Sequence, residues 1–156
     1  KRGQNHYGYK IPINVDRQHK VIRRYAVTNA SVHDSRVFDE ILDDLNPDRS
    51  VWADSAYRSE AHETLLDAQD LISRVHHKGK RNRSLTTSQK ATNKRRSRIR
   101  ARVEHVFGAQ KTMQGSILVR TKGKLRAATK IGMMNLAYNM RRLEYLLRSQ
   151  SAQLVT

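Results

Sequence analysis

Residues 50–57 read Ser50-Val51-Trp52-Ala53-Asp54-Ser55-Ala56-Tyr57. A short, partly apolar run leading into one carboxylate has the form of a strand with an acid near its end. A buried carboxylate is costly unless a cation or hydrogen-bond donors meet it. Functional groups also collect at strand ends in α/β folds. The competing reading of Asp54 is an ordinary capping or loop acid.

Upstream, Tyr7, Tyr9, Ile11, Ile13 and Val15 alternate with other residues, which predicts a strand over 7–15. Asp16 to His19 reads as a turn, and the β-branched and aromatic run Lys20–Thr28 as its hairpin partner. Val37, Phe38, Ile41, Leu42 and Leu45 predict a helix over 35–45, stopped by Asn46-Pro47. Downstream, Ser59 is placed to cap a helix through Ala68, and Leu71–His76 reads as another short strand. A basic loop over 79–88 follows. A long helix is expected from about Thr92 to Gln114-Gly115, with Ile99, Val103, Val106 and Phe107 on one stripe. Ser116–Thr121 reads as a short strand or extended turn. A last helix over 124–148 is expected to bury Met133, Leu136, Ala137, Met140, Leu143 and Leu147. The order predicts one mixed α/β domain over 1–148 with a polar tail over 149–156.

The 156 residues carry 31 Lys+Arg and 14 Asp+Glu, a net charge of +17, with no cysteine. That excludes a disulfide scaffold, a cysteine-based zinc site and a cysteine nucleophile. No apolar run is long enough to span a membrane, and the first ten residues lack a signal-peptide core. A soluble, cytoplasmic protein is the expectation. The charge is uneven: residues 1–73 sum to −2 and residues 74–156 to +19. The excess peaks in Lys78, Lys80, Arg81, Arg83, Lys94, Arg95, Arg96, Arg98 and Arg102, with no acid among them. Such a run repels itself unless an anion neutralises it, which points to nucleic acid. A solvated basic loop is the bland reading.

Within the basic stretch 74–111 the one acid is Glu104. Arg100, four residues before it, and Lys111, seven after, fall on the same helix face. A simple Arg–Glu pair one turn apart would account for part of this, at a few tenths of a kcal/mol. Taken with Asp54, it points instead to a divalent-metal site set among cations, the arrangement that suits phosphodiester chemistry. Two carboxylates are thin for such a site. Asp34 is a candidate third, although its position before the predicted helix favours an N-cap, and Asp16 reads as a turn residue. His76 and His77 precede the basic loop and carry no assigned role.

Tyr7-Gly8-Tyr9-Lys10, Val32-His33-Asp34-Ser35, Ala53 to Tyr57, Arg100 to Gly108 and Asn135 to Leu143 together resemble the DDE transposases of bacterial insertion sequences, in particular the insertion-sequence-five group. The resemblance covers nearly the whole chain. It implies a ribonuclease-H-like mixed sheet with flanking helices and metal-dependent DNA strand transfer using Mg²⁺ or Mn²⁺. Asp54 would match the second acid and Glu104 the third. Arg100 and Lys111 would match basic members of the family's Tyr–Arg–Glu–Lys signature, whose tyrosine position is Ser97. The family's first Asp lies on a central strand before the Gly-Tyr-Lys motif, and that strand is missing from this chain. The expectation is therefore a C-terminal portion of the catalytic domain, inactive in DNA cleavage by itself. Its expected partners are DNA near the nucleoid, an N-terminal transposase portion supplying the first Asp, and a further copy of the chain. A non-enzymatic basic nucleic-acid-binding module is the alternative.

Overall fold

Pro12 divides the first predicted strand. In the computed structural model, which describes residues 8–114, 119 and 121–154, β1 (Tyr9–Lys10) and β2 (Ile13–Val15) flank Ile11 and Pro12. Proline has no N–H to give to a ladder. Its carbonyl still accepts from the Ala26 amide at 3.0 Å, so the hairpin keeps its course. β3 (Ile22–Tyr25) pairs antiparallel with β2, and β4 (Thr28–Asn29) with β1. Asp16 closes the turn through its backbone, with Lys20 in the left-handed region at φ 57°. Tyr7 lies outside the described residues.

The next segment differs from the predicted helix over 35–45. A 3-10 turn, Asp34–Val37, leads into α1 (Phe38–Ile41), and Leu42 already leaves in an extended conformation. Asp43 explains the early end. It turns inward to meet Arg23 and accepts from the Leu45 amide, which helical continuation would prevent. The N-cap is His33, not Asp34.

β5 (Ser50–Val51) and β6 (Ile72–Ser73) form a parallel pair. α2 (Glu60–Ala68), capped by Ser59 as expected, crosses between them. The ladder continues past both strands: Arg74 N–H donates to Val51 at 2.8 Å and His76 N–H to Ala53 at 3.0 Å. Phe38, Leu42, Leu66, Leu71 and Val75 form the core here.

α3 (Thr87–Gln114) begins about a turn earlier than its apolar pattern predicts. Thr86 and Gln89 cap each other reciprocally, side chain to backbone N–H, at 3.0 and 3.2 Å. α4 (Lys124–Leu154) runs six residues beyond the predicted end, through much of the segment expected to be a tail. Of the expected 116–121 strand, most residues lie outside those described.

One expectation about α4 is overturned. Ala127, Ile131, Met134 and Tyr138 are its buried apolar residues, with Asn135 buried beside them, whereas Met133, Leu136, Ala137, Met140, Leu143 and Leu147 face out. The helix has two apolar stripes, and the inward one carries the hydrogen-bonding side chains. Asn139 accepts from the Ile22 amide at 2.9 Å and donates to its carbonyl at 2.8 Å. Tyr138 donates to the Lys20 carbonyl at 2.8 Å, and buried Gln110 to Asn135 at 2.8 Å. Those bonds orient the helix; apolar periodicity carries no such information.

The described strands form three two-stranded pairs in a mixed α/β arrangement. Between the hairpin and β5 lies a cavity of about 560 Å³, lined by residues 10–18 on one side, 50–54 on the other and α3 across it.

Candidate active site

The parallel ladder decides where Asp54 stands. It bonds through Arg49, Val51 and Ala53, so the peptide groups of the alternate residues Ser50 and Trp52 turn to the opposite edge, where the Ser50 carbonyl accepts from Asn46 Nδ2 at 3.2 Å. Asp54 follows where the strand ends. Its Oδ1 accepts from the Ala56 amide and the Ser55 hydroxyl, both at 3.1 Å, capping the 3-10 turn Ser55–Tyr57. The capping reading of Asp54 is therefore correct for one oxygen. The other, Oδ2, faces Arg100 Nη1 at 3.4 Å.

Arg100 joins the two acids. Its Nη2 lies 3.3 Å from Glu104 Oε1, so one planar guanidinium touches both carboxylates. The rigid fork keeps those carboxylate oxygens within about 9 Å of each other. Glu104 is 68% exposed and Arg100 39%, so the group opens to solvent at the cavity mouth. Lys111 does not join it. It is exposed on the next turns of α3 and makes no ion pair with either acid.

Electrostatics set the protonation of the group. Burial alone would raise the Asp54 carboxyl. The Ala56 and Ser55 hydrogen bonds and the charges of Arg100 and His76 outweigh it and hold the pKa below 3.8. Tyr57 lies near both Asp34 and Asp54; burial, then the two negative charges, push its hydroxyl up to about 12. Asp34 pairs with Lys10 at 3.2 Å and lines the same cavity.

His76 is the residue here that sequence reasoning left unassigned. The β6 ladder carries it alongside Ala53, next to Asp54, and its Nε2 is buried without a hydrogen-bond partner among the described residues. Burial first, then Arg100 and Arg96, lower its pKa below 6.5 against the opposing pull of Asp54. Its alignment with Ala53 comes from pairing between distant strands, so only the strand register could have revealed it. Trp52 Nε1, also lining the cavity, is likewise buried and unpaired.

The basic residues divide by position. Lys78, Lys80, Arg81, Arg83, Lys94, Arg95 and Arg98 are exposed on the loop and on α3. Arg96 is half-buried and donates to the Val75 carbonyl, which also accepts from Arg58. Arg102 reaches the Arg17 carbonyl.

Whether these residues suit a divalent cation is answerable from the donor set. Carboxylate oxygens from two elements are right in kind for a hard cation. They are too few: among the described residues no cluster of three or more His, Asp or Glu side chains could hold a metal ion. No described helix is long and apolar enough to cross a membrane. Compared with known proteins, residues 1–140 match the family model described as "Transposase DDE domain". No curated protein and no solved structure matches the chain.

Proposed function

This chain belongs to the transposase DDE-domain family, and from that premise we propose that it is part of an insertion-sequence transposase of the insertion-sequence-five kind, the C-terminal portion of its catalytic domain. The reaction is cleavage of a DNA phosphodiester and transfer of the new 3′ end. The observation that carries this is the Arg100 bridge, which ties the acid closing β5 to the one acid of a basic helix. An isolated surface pair would need only one of them.

In this reading Asp54 and Glu104 supply two of the oxygen donors for Mg²⁺ or Mn²⁺. A bound divalent ion supplies charge neutralisation at phosphorus and a more acidic attacking hydroxyl. Because two donors do not complete a site, the chain alone binds such ions weakly, and the first Asp comes from an N-terminal portion. Arg100 holds the acids together until a phosphate arrives; its planar fork then suits phosphate oxygens as well as carboxylates. Lys111 is assigned to the phosphate further along the strand. Lys78, Lys80, Arg81, Arg83, Lys94, Arg95, Arg96, Arg98 and Arg102 are assigned to the DNA backbone, where counterion release dominates affinity. The place of action is the cytoplasm, at the nucleoid.

A ribonuclease-H-like order puts one further strand between the hairpin and β5. Two features support this. The cavity of about 560 Å³ runs along both strand edges. The alternate residues Ser50 and Trp52 line it.

The experiment is Mn²⁺ binding followed by electron paramagnetic resonance, with DNA cleavage assayed in parallel. The isolated chain should bind Mn²⁺ weakly, lose that binding on Glu104→Gln or Asp54→Asn, and leave DNA uncut. Binding indifferent to both substitutions would favour a non-enzymatic basic module. Clean strand transfer by the polypeptide alone would overturn the fragment assignment.

A further inference from the structure

Two arginines from separate elements meet at one peptide group. Arg58, which follows the 3-10 turn Ser55–Tyr57, donates through Nη1 to the Val75 carbonyl at 3.2 Å, and Arg96 on α3 donates to the same oxygen. The ladder to β5 uses the amides of Arg74 and His76, which turns the Val75 peptide group to the outer edge of β6 and leaves its oxygen for both. Sharing one acceptor holds the two guanidinium ends within about 6 Å of each other. Burial, then the charges of Arg58 and Arg74, pull the Arg96 pKa below its ordinary value. Among the described residues, Glu63 is the acid paired with this group. Its Oε1 lies 3.4 Å from Arg58 Nε and also accepts from the Ser73 hydroxyl at 3.0 Å. Three cations therefore share one carboxylate and one carbonyl. Arg58 and Arg96 are half-buried and fixed in place, unlike the exposed cations of the basic loop.

We infer that Arg58 and Arg96 form a clamp for a single phosphate, the one next to the scissile phosphate, and so fix the register of the DNA strand on Asp54 and Glu104. The inference rests on the DNA reaction proposed above and adds a residue, Arg58, to which the sequence pattern gives no role. A carbonyl oxygen carries only a partial charge and cannot neutralise two guanidinium groups. A phosphate carries a full charge and offers acceptors to two planar forks at once. Each fork has five donors, so bonds to Val75 and Glu63 leave others unused. Position supplies the register. Arg96 stands one turn before Arg100 on α3, about 6 Å along the helix axis, a step that one nucleotide of an extended strand can span. His76, the residue after Val75, lies within electrostatic reach of both arginines, and its buried, unpaired Nε2 adds a polar contact between the two positions.

Inorganic phosphate is the first probe, titrated into the full chain at constant ionic strength and followed by the arginine Nε–Hε resonances. It should shift the Arg58 and Arg96 signals together and saturably. Arg58→Gln should weaken this binding at least about fivefold, and Arg58→Lys should not restore it, because an ammonium lacks the fork. Lys94→Ala, at an exposed position of α3, should leave it unchanged. A short oligonucleotide without terminal phosphates should displace the inorganic phosphate. Because the parent chain reports the site directly, the result stands even if a variant folds poorly. Shifts spread over the exposed cations with none centred on Arg58 and Arg96, or full recovery with Arg58→Lys, would overturn the clamp. Phosphate that the oligonucleotide does not displace would overturn the placement of the strand. Mn²⁺ binding at Asp54 and Glu104 is measured without phosphate, so the proposed reaction and this clamp succeed or fail separately.

Discussion

Arg100 stands 3.4 Å from Asp54 and 3.3 Å from Glu104, one guanidinium between two acids that are fifty residues apart in the chain. The link within α3 is a local i,i+4 pair. The link to Asp54 exists because α3 crosses the end of β5. A carboxylate pair held by one cation is electrostatically loaded: removing the cation leaves two like charges close together.

Arg100→Gln should therefore raise the Asp54 pKa, because one of the charges holding it down is lost. The stability cost should stay within about 1 kcal/mol, since these ion pairs are partly exposed and screened. Carboxyl carbon chemical shifts followed through acid pH, with a denaturant curve at pH 7, read both quantities. An unchanged Asp54 titration would show that the contact carries no electrostatic weight.

Asp54→Asn tests the sign of linkage. A carboxyl whose folded pKa lies below 3.8 stabilises the fold above that value and loses its contribution as pH falls through the folded pKa. The stability difference between parent and variant should be present at pH 7 and shrink below pH 3.8. Thermal melts across this range measure it.

His76 should move in two directions. Arg100→Gln removes a repelling cation and should raise its pKa, while Asp54→Asn removes the attracting anion and should lower it further. Because its folded pKa lies below 6.5, His76 lowers stability as pH falls past that value. Imidazole proton shifts in the two variants decide the matter, and parallel shifts in both would contradict the placement of His76.

The basic residues should separate into two kinds. Replacing exposed Lys94, Arg95 or Arg98 by Ala should lower DNA affinity uniformly across sequences and reduce the salt slope by about one each. Arg96→Ala should in addition lower the melting temperature, because its side chain is also bonded to the Val75 carbonyl. Fluorescence anisotropy at several salt concentrations, beside melting curves, separates these effects.

Asn139→Ala should cost about 1–3 kcal/mol, since it leaves both the amide and carbonyl of Ile22 without their partner. Denaturant unfolding gives the value. A neutral result would mean that the Ile22 peptide finds water instead.

Local patterns carried the hairpin turn at Asp16, the Ser59 cap and the basic loop, because each depends on residues a few positions apart. They also carried the pairing of Arg100 with Glu104, one helical turn away. The early start of α3 was equally local, written in the Thr86–Gln89 capping pair. Pro12 was local as well, since its missing N–H broke a strand that alternation alone would continue. Two features were decided elsewhere. Asp43 ended α1 because Arg23, from another strand, drew it inward. α4 turned its Met–Leu stripe outward because Asn135, Tyr138 and Asn139 found partners on α3 and the hairpin. Periodicity records that a face is apolar; which of two apolar faces is buried depends on hydrogen bonds to groups far away in the chain. The meeting of Asp54, His76 and Arg100 is of the same kind, since strand register and helix crossing bring it about, and both are properties of the assembled fold.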